Sequence, residues 1–502
     1  MLFRKHFRFS VVMAVHDTEA FLEQAIDSVI NQSIGFTEHI QLILVDDGST
    51  DGSNAICQRY KKRYRRNVVL IEQENAGVSA ARNAGLARVK GTYVTCLDSD
   101  DYWSEDAFEL ADAFFTEHPD VGVLAFPTRF FGAREGDYML NVYHDATRVV
   151  DLDAEPHIVQ LASRDCFIAA ELLEDVRFDE SVCFSEDALF TNTVLLKHRT
   201  LGLSAQGCYW YRKREDQGSA VDVRKTAVDD YLVTPERVYL QLHALSRRRY
   251  GNVIPSVQYT TMHELRWRLM SGPADVLDEA GLQRYRELLM QLLQPLDDTV
   301  ISRQRQLPLR SKMYAFALKY GISVQDVAAG IYISPTNIVR TCFATSAGSV
   351  RVSLAALSSL NTKLRIDVIE RDGGVVRVQG KASALCADAP LDVRFELDDA
   401  PCPCERFAVE GSGVNTPLDG RVLPQLGCAV ELPCDALPAR VCVTLVVAEA
   451  ELPATLVLEP QTGAMLDDDG TAHVSLDGLS ACCSPDAPDT LALELADAAR
   501  RS

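Results

Sequence analysis

The sequence predicts an α/β protein: a mostly parallel sheet with helices on both faces, then a helical stretch, then an antiparallel β-sandwich. Three observations carry that expectation. Over the first 100 residues short β-rich runs alternate with amphipathic helical patterns, the order that builds a parallel sheet. From about Arg224 to Gly321 the apolar residues recur at three- and four-residue spacing. Beyond residue 341 short alternating runs are parted by Gly, Pro and Asp turns.

The elements follow in order. Phe9 to Val15 is a buried-type strand, and Ala20 to Asn31 carries Phe21, Leu22, Ala25, Ile26, Val29 and Ile30 at helical period. Ile40 to Val45 is a second strand that runs into Asp46-Asp47-Gly48-Ser49, and a helix follows through Ile56 and Tyr60. Val68 to Ile71 is a third strand, Ser79 to Val89 a helix, and Thr92 to Leu97 a fourth strand ending in Asp98-Ser99-Asp100-Asp101. Ligands of such sheets bind beyond the carboxyl ends of the strands, so both acidic clusters converge on one rim.

Tyr231 to Leu245 and Gly281 to Leu293 are the clearest helices of the middle region. Arg247-Arg248-Arg249, with Arg303, Arg305, Arg310, Lys312 and Lys319, make that region basic, either as solvated helix ends or as a face for an anionic membrane or phosphopolymer. The last third holds 12 Lys plus Arg against 24 Asp plus Glu. Its strands are read at Leu364 to Ile369, Val375 to Val378, Leu391 to Phe395, Val441 to Val446 and Thr455 to Leu458. Its only aromatics are Phe343, Phe395 and Phe407, too few to stack on sugar rings, so an interaction or homo-oligomerisation domain is expected. The expected division is 1–220, 221–340 and 341–502.

Composition narrows the function. The chain has 502 residues, 47% hydrophobic and 24% charged, with 50 Lys plus Arg against 71 Asp plus Glu and a net charge of −21. That balance repels polyanions and argues against nucleic-acid binding, so any phosphate ligand must meet a local cation. No apolar run reaches the roughly 20 residues of a bilayer-spanning helix. The basic start MLFRKHFRFS has no secretory pattern, so the expected location is the cytoplasm, with peripheral contact at the inner membrane face. The 14 cysteines lack metal-ligand spacing and read as reduced thiols.

Asp98-x-Asp100 sets hard oxygen ligands at the mouth of the sheet, where Mn²⁺ or Mg²⁺ could bridge protein and a nucleotide's diphosphate. Neither acidic cluster fits an EF-hand, since Trp103 stands where one loop needs glycine and Gln58 where the other needs glutamate. No glycine-rich dinucleotide or P-loop signature follows the first strand. Metal and Arg82 are therefore expected to meet the phosphates.

Ser10-Val-Val-Met-Ala-Val-His-Asp17, Val45-Asp-Asp-Gly-Ser-Thr-Asp-Gly52, Asn75-Ala-Gly-Val-Ser-Ala-Ala-Arg-Asn-Ala-Gly85 and Leu97-Asp-Ser-Asp-Asp101 together resemble the ordered motifs of family 2 glycosyltransferases with the Rossmann-like GT-A fold. The likeness covers about residues 8 to 215 and implies inverting transfer from a nucleoside-diphosphate sugar, a UDP-sugar, to a hydroxyl. By that resemblance Ala14 and His16 lie in the base-contacting loop, with His16 where the family usually has tyrosine. Asp46 and Asp47 face the nucleotide, Asp47 accepting the uracil imide proton. Arg82, Asp98 and Ser99 line the donor, and Asp100, with Asp98, holds the metal.

Ser185-Glu-Asp-Ala-Leu-Phe190 is similar to the family's acidic pair, which makes Asp187 the expected base and Glu186 its orienting partner. Tyr209-Trp-Tyr-Arg-Lys-Arg214, with Gly218-Ser219, resembles the segment that closes over the donor, implying that Arg212 or Arg214 balances the departing diphosphate. The helical part is similar to bacterial proteins related to teichoic-acid polymerases, which implies a wall or capsular polymer, or its lipid-linked precursor, as acceptor. Two other classes stay open: a nucleotide-sugar-binding scaffold without turnover, and a nucleotidyltransferase releasing pyrophosphate.

Overall fold

The computed structural model describes residues 7–214, 224, 226–271, 276–304, 306–386, 389–409, 425–459, 462, 464–466, 471–476 and 479–495. Residues 1–6, Arg305 and the Gly218-Ser219 pair lie outside them. The chain divides into two compact units, residues 1–264 with 275–296, and residues 265–274 with 297–502.

The first unit is built on an eight-stranded sheet. Its elements run β1 (Phe7–Val15), α1 (Leu22–Ile30), a short α2 (Phe36–His39), β2 (Ile40–Asp47), α3 (Ser53–Arg63), β3 (Val68–Gln73), α4 (Val78–Leu86) and β4 (Gly91–Asp98). Next come β5 (Tyr102–Trp103), α5 (Ala107–Glu117), β6 (Val123–Ala125), β7 (Thr128–Gly132), β8 (Gly136–Asp137) and β9 (Arg148–Asp151). The remainder is β10 (Cys166–Ala169), α6 (Glu186–His198), β11 (Thr200–Leu203) and β12 (Tyr209–Lys213). The sheet order is β3-β2-β1-β4-β10-β6-β11-β9. The first four strands pair in parallel, as the βα repeat predicts. Beyond β4 the sheet is mixed, with β10 antiparallel to both β4 and β6. β12 belongs to a second, four-stranded sheet with β5, β7 and β8.

Alternation along β1 sorts its side chains between two cores. Phe9, Val11, Met13 and Val15 join α1 residues Leu22, Ile26 and Val29 on one face, and Val12 joins Ile43, Val45 and Ala81 on the other. Each fully buried large side chain contributes about 1.5–3 kcal/mol of transfer free energy. Gly85 lets α4 lie on the sheet, because a Cβ there would stand 2.4 Å from Val12 Cγ1.

The middle region is helical as expected: Val228–Thr234, a wide turn at Pro235–Leu240, Gln241–Tyr250, Pro255–Met270 and Glu279–Leu293. The basic set, however, divides. Arg247, Arg248, Arg249 and Arg303 are exposed. Lys312 is buried, donating to the carbonyls of Ser302 and Leu354, and Lys319 pairs with Asp298. The charge pattern places those lysines at solvated helix ends or on an anion-facing surface; acceptors 10 to 42 residues away in the sequence hold them instead. No described helix is long and apolar enough to cross a membrane.

The second unit carries Leu309–Tyr320, a three-stranded sheet from Ile331 to Ala356, and two further sheets of five and seven strands in line, with an eighth, Ala450–Pro453, paired to Ala439–Val447. Pairing there is antiparallel apart from Lys363–Asp372 beside Thr455–Leu458. Among the described residues the cysteines that are resolved are free thiols.

Candidate active site

Register builds the rim. Ala14 pairs with Val45 on one side and Asp98 on the other, so the ends of β1, β2 and β4 lie level and the chain turns out at His16. Asp46, Asp47 and Asp98 are themselves the last strand residues, not loop residues. Gly48 takes a left-handed φ of +71°, and a Cβ there would meet the Asn75 backbone nitrogen at 2.8 Å. The turn thus brings the loop after β3 against the loop after β2.

Asp47 is buried and accepts three hydrogen bonds: Oδ1 from Gln73 Nε2 (2.8 Å) and Ala76 N (2.9 Å), Oδ2 from Gly77 N (2.9 Å). Asp46 accepts from Ser49 N and Asn54 Nδ2. His16 keeps 44% of its side chain exposed; Nδ1 donates to the Asp47 carbonyl at 2.9 Å, and Nε2 stands 3.1 Å from Asn75 Nδ2. Ser99 is buried and accepts from Thr18 Oγ1.

The other half of the rim is held by guanidinium groups. Arg82, 4% exposed, donates from one terminal nitrogen to Asp98 Oδ1 at 2.8 Å and from the other to Glu186 Oε1 at 2.9 Å and Asp187 Oδ1 at 3.3 Å. The side chain expected on the nucleotide thus joins the end of β4 to the start of α6. Asp187 also accepts a short hydrogen bond from Ser163 Oγ, and Arg164 Nη1 lies 3.7 Å from its Oδ2. Ser185, immediately before the pair, sits in the left-handed region at φ 62°, which aims the first turn of α6 at the cluster.

Arg214 donates twice to Asp100 Oδ2, at 2.9 and 2.6 Å. Arg212 turns away, its Nε donating to the Asp100 carbonyl and its guanidinium lying over Phe21 and Phe131. Its backbone N–H and the Tyr209 hydroxyl both donate to Asp101. Tyr209 is fixed by edge-on packing against Trp103.

Proton affinities follow from this arrangement. Burial and the neighbouring Asp187 charge push the Glu186 carboxyl up to about 7 against the pull of Arg82. Burial and the Asp98 charge raise Asp100 despite Arg214, and burial with the Asp100 and Asp98 charges raises Asp101 further. At Asp98 burial acts upward, but Arg82, Arg164 and Arg214 together hold the carboxyl below its usual range.

The donor set fits a hard divalent cation. Asp98 and Asp100 each keep one carboxylate oxygen that accepts no hydrogen bond from the described residues, and their crowded charges favour a cation between them. Among the described residues no three His, Cys, Asp or Glu side chains gather into a complete cage. Phosphate and water would have to complete such a shell.

Ser163 and Arg164 carried no signal in the sequence. They end an irregular stretch between β9 and β10 and reach Asp187 only through the fold.

A mixed sheet with a parallel β3-β2-β1-β4 half, whose rim joins strand-end acids to a helix-borne acidic pair, is the framework of a nucleotide-sugar-type transferase, and residues 10–162 match the family model described as Glycosyl transferase family 2. The chain belongs to glycosyltransferase family 2. It is 34% identical over 318 residues to the minor teichoic acid biosynthesis protein GgaA of Bacillus subtilis, covering 62% of this chain and 71% of GgaA. It is 32% identical over 387 residues to GgaB of the same organism, covering 76% of this chain but only 41% of GgaB. The crystal structure of S. aureus TarS shares the fold, with a TM-score of 0.53 at 15% identity over 97% of this chain and 85% of that one. The GT-A architecture expected from the sequence is therefore the one observed.

Proposed function

We propose that this chain moves a sugar, with inversion, from a UDP-sugar to a hydroxyl of a teichoic-acid-type polyol-phosphate polymer. The observation that carries the reading is the meeting of Asp98 with Glu186 and Asp187 around buried Arg82 at the carboxyl edge of the sheet. The acceptor class follows from the likeness to GgaA and GgaB and from the exposed Arg247-Arg248-Arg249 run, which suits a phosphate-bearing chain.

In this scheme the loop with His16 and Asn75 receives the base. Asp98 and Asp100 hold Mn²⁺ or Mg²⁺, which when bound screens the charge of the diphosphate. Arg82 and Ser163 orient Asp187, and Asp187 takes the proton of the acceptor hydroxyl. The acceptor oxygen bonds to the anomeric carbon as the bond from that carbon to the diphosphate oxygen breaks. The electron pair leaves with the nucleoside diphosphate, whose charge Arg214 and Arg164 offset. Glu186 shares the buried charge of the pair.

The test is Asp187→Asn with UDP-sugars and a polyol-phosphate acceptor. Loss of a general base is expected to lower kcat by about 10²- to 10⁴-fold while donor affinity and thermal stability stay at the wild-type level. Near-normal transfer by the variant overturns the assignment. Donor binding by the wild type with neither transfer nor donor hydrolysis would mark a scaffold instead.

A further inference from the structure

Three of the four arginines at the rim direct their donors to the protein itself. Arg82 reaches Asp98, Glu186 and Asp187, Arg214 donates twice to Asp100, and Arg212 donates to the Asp100 carbonyl and to Gln24. Arg164 makes no hydrogen bond among the described residues; its ion-pair contact, Asp187 Oδ2 at 3.7 Å, is too long to be one. The transfer scheme above uses Arg164 for its charge and leaves its donors unassigned.

The side chain is nonetheless held in place. Its guanidinium carbon lies 4.8 Å from the Tyr211 ring centre and 5.8 Å from that of Tyr209, two residues of β12. Nε is buried without an acceptor, whereas the two terminal nitrogens, also without one, are not buried, and 19% of the side chain is exposed. A guanidinium fixed by aromatic rings, with open terminal nitrogens, is a preformed fork for an oxyanion.

Asp187 determines which oxyanion the fork meets. Its Oδ1 accepts from Ser163 and Arg82, while Oδ2 accepts no hydrogen bond among the described residues and is not buried. Oδ2 is therefore the oxygen open to the acceptor's proton. An inverting displacement brings the acceptor in opposite the leaving diphosphate, so a group between Oδ2 and Arg164 lies on the acceptor side. In a polyol-phosphate chain a phosphodiester sits on the carbon next to a free hydroxyl, and its two unesterified oxygens match two guanidinium nitrogens. A neutral hydroxyl in that position would engage one donor and leave the others without partners.

We propose that Arg164 is a specificity-determining residue for the acceptor: its terminal nitrogens hold the phosphodiester beside the hydroxyl that Asp187 deprotonates. The proposal rests on the acceptor class proposed above and deepens it, because it makes the phosphate, not the polyol alone, the group recognised next to the base.

The full chain is tested with two acceptor oligomers of equal length, a poly(glycerol phosphate) and a neutral ether-linked polyglycerol. The wild type is expected to prefer the phosphate oligomer. Arg164→Gln should lower the phosphate-to-neutral ratio of kcat/KM by about tenfold or more, chiefly by raising KM for the phosphate oligomer. Any kcat lost through weaker charge near the leaving group falls on both acceptors and cancels in the ratio. Arg164→Lys keeps the charge but not the fork and should recover part of the ratio, and it serves in place of Arg164→Gln if melting shows that variant to be misfolded. In the wild type, glycerol 1-phosphate should compete with the polymer more strongly than glycerol does, and should not compete with the UDP-sugar.

A ratio equal in wild type and variants overturns the proposal. So does a fall in UDP affinity with the ratio unchanged, which would give the fork to the donor diphosphate, and so does glycerol 1-phosphate competing no better than glycerol. If the wild type transfers sugar to neither oligomer, calorimetry separates the two readings. Binding of the phosphate oligomer that weakens about tenfold in Arg164→Gln would sustain the role of Arg164 and overturn the catalytic reading, whereas no binding would overturn both.

Discussion

The two halves of the rim treat their carboxylates differently. On the β2–β3 side Asp47 and Asp46 are met by backbone N–H groups and side-chain amides, and Asp17 by the Thr50 and Asp51 amides. On the β4–α6 side Asp98, Asp100, Glu186 and Asp187 are met by Arg82, Arg164 and Arg214. Amide donors fix a carboxylate in place as a tie between loops. Guanidinium groups also set its charge, since each pair is a balance between desolvation and attraction that a bound ligand can tip. The amide-met half is a frame, and the guanidinium-met half is where protons and charge can move.

The largest expected effect comes from removing the centre of the second half. Arg82→Met leaves three carboxylates around an apolar side chain and should lower stability by about 3–5 kcal/mol, read as a fall in the urea midpoint. A midpoint close to the wild type would mean that the cluster is not the keystone of this half. Asp47→Ala tests the frame. It strips the acceptor from two loop amides and Gln73 and should cost about 1.5–3 kcal/mol. It should also weaken donor binding more than it slows transfer of bound donor. An equal loss of kcat would erase the distinction between the halves.

The third prediction concerns pH. In the fold the Glu186 carboxyl stands at about 7 against an ordinary 4.5, so the folded chain holds that proton more tightly than the unfolded chain. The stability it contributes is complete below pH 4.5 and is lost as pH rises through about 7. Glu186→Gln imitates the protonated form, so its stability should gain on the wild type across that window and run parallel above it. Denaturation midpoints for the two chains over the same pH series check this; parallel curves throughout would show that Glu186 is ionised like a surface acid.

The same contrast explains what could be read beforehand. Asp46, Asp47, Asp98 and Asp100 are legible on the rim from sequence alone, because each lies at or just beyond the end of a strand in a run of local βα repeats whose periods are short-range signals. Glu186 and Asp187 came from motif resemblance, since an acidic pair at a helix start looks like ordinary dipole stabilisation. The engagement of Arg82 by three carboxylates was not legible, because two of them lie more than 100 residues away. Ser163, Arg164 and the burial of Lys312 escaped for the same reason: long-range pairing leaves no trace in local spacing.

The smallest expected effect is at Ser185, whose left-handed backbone costs about 1–2 kcal/mol for a residue bearing a Cβ. Ser185→Gly removes that cost but adds unfolded-state entropy, so stability should rise by about 0.5–1 kcal/mol. If the strained turn serves to aim Glu186 and Asp187 at Arg82, the same variant should lose kcat while donor affinity holds, because a glycine hinge lets the first turn of α6 wander. A gain in stability with kcat unchanged would place the aim of the acidic pair in Arg82 and Ser163 alone, and would make the guanidinium cluster, not the backbone, the sole organiser of that half of the rim.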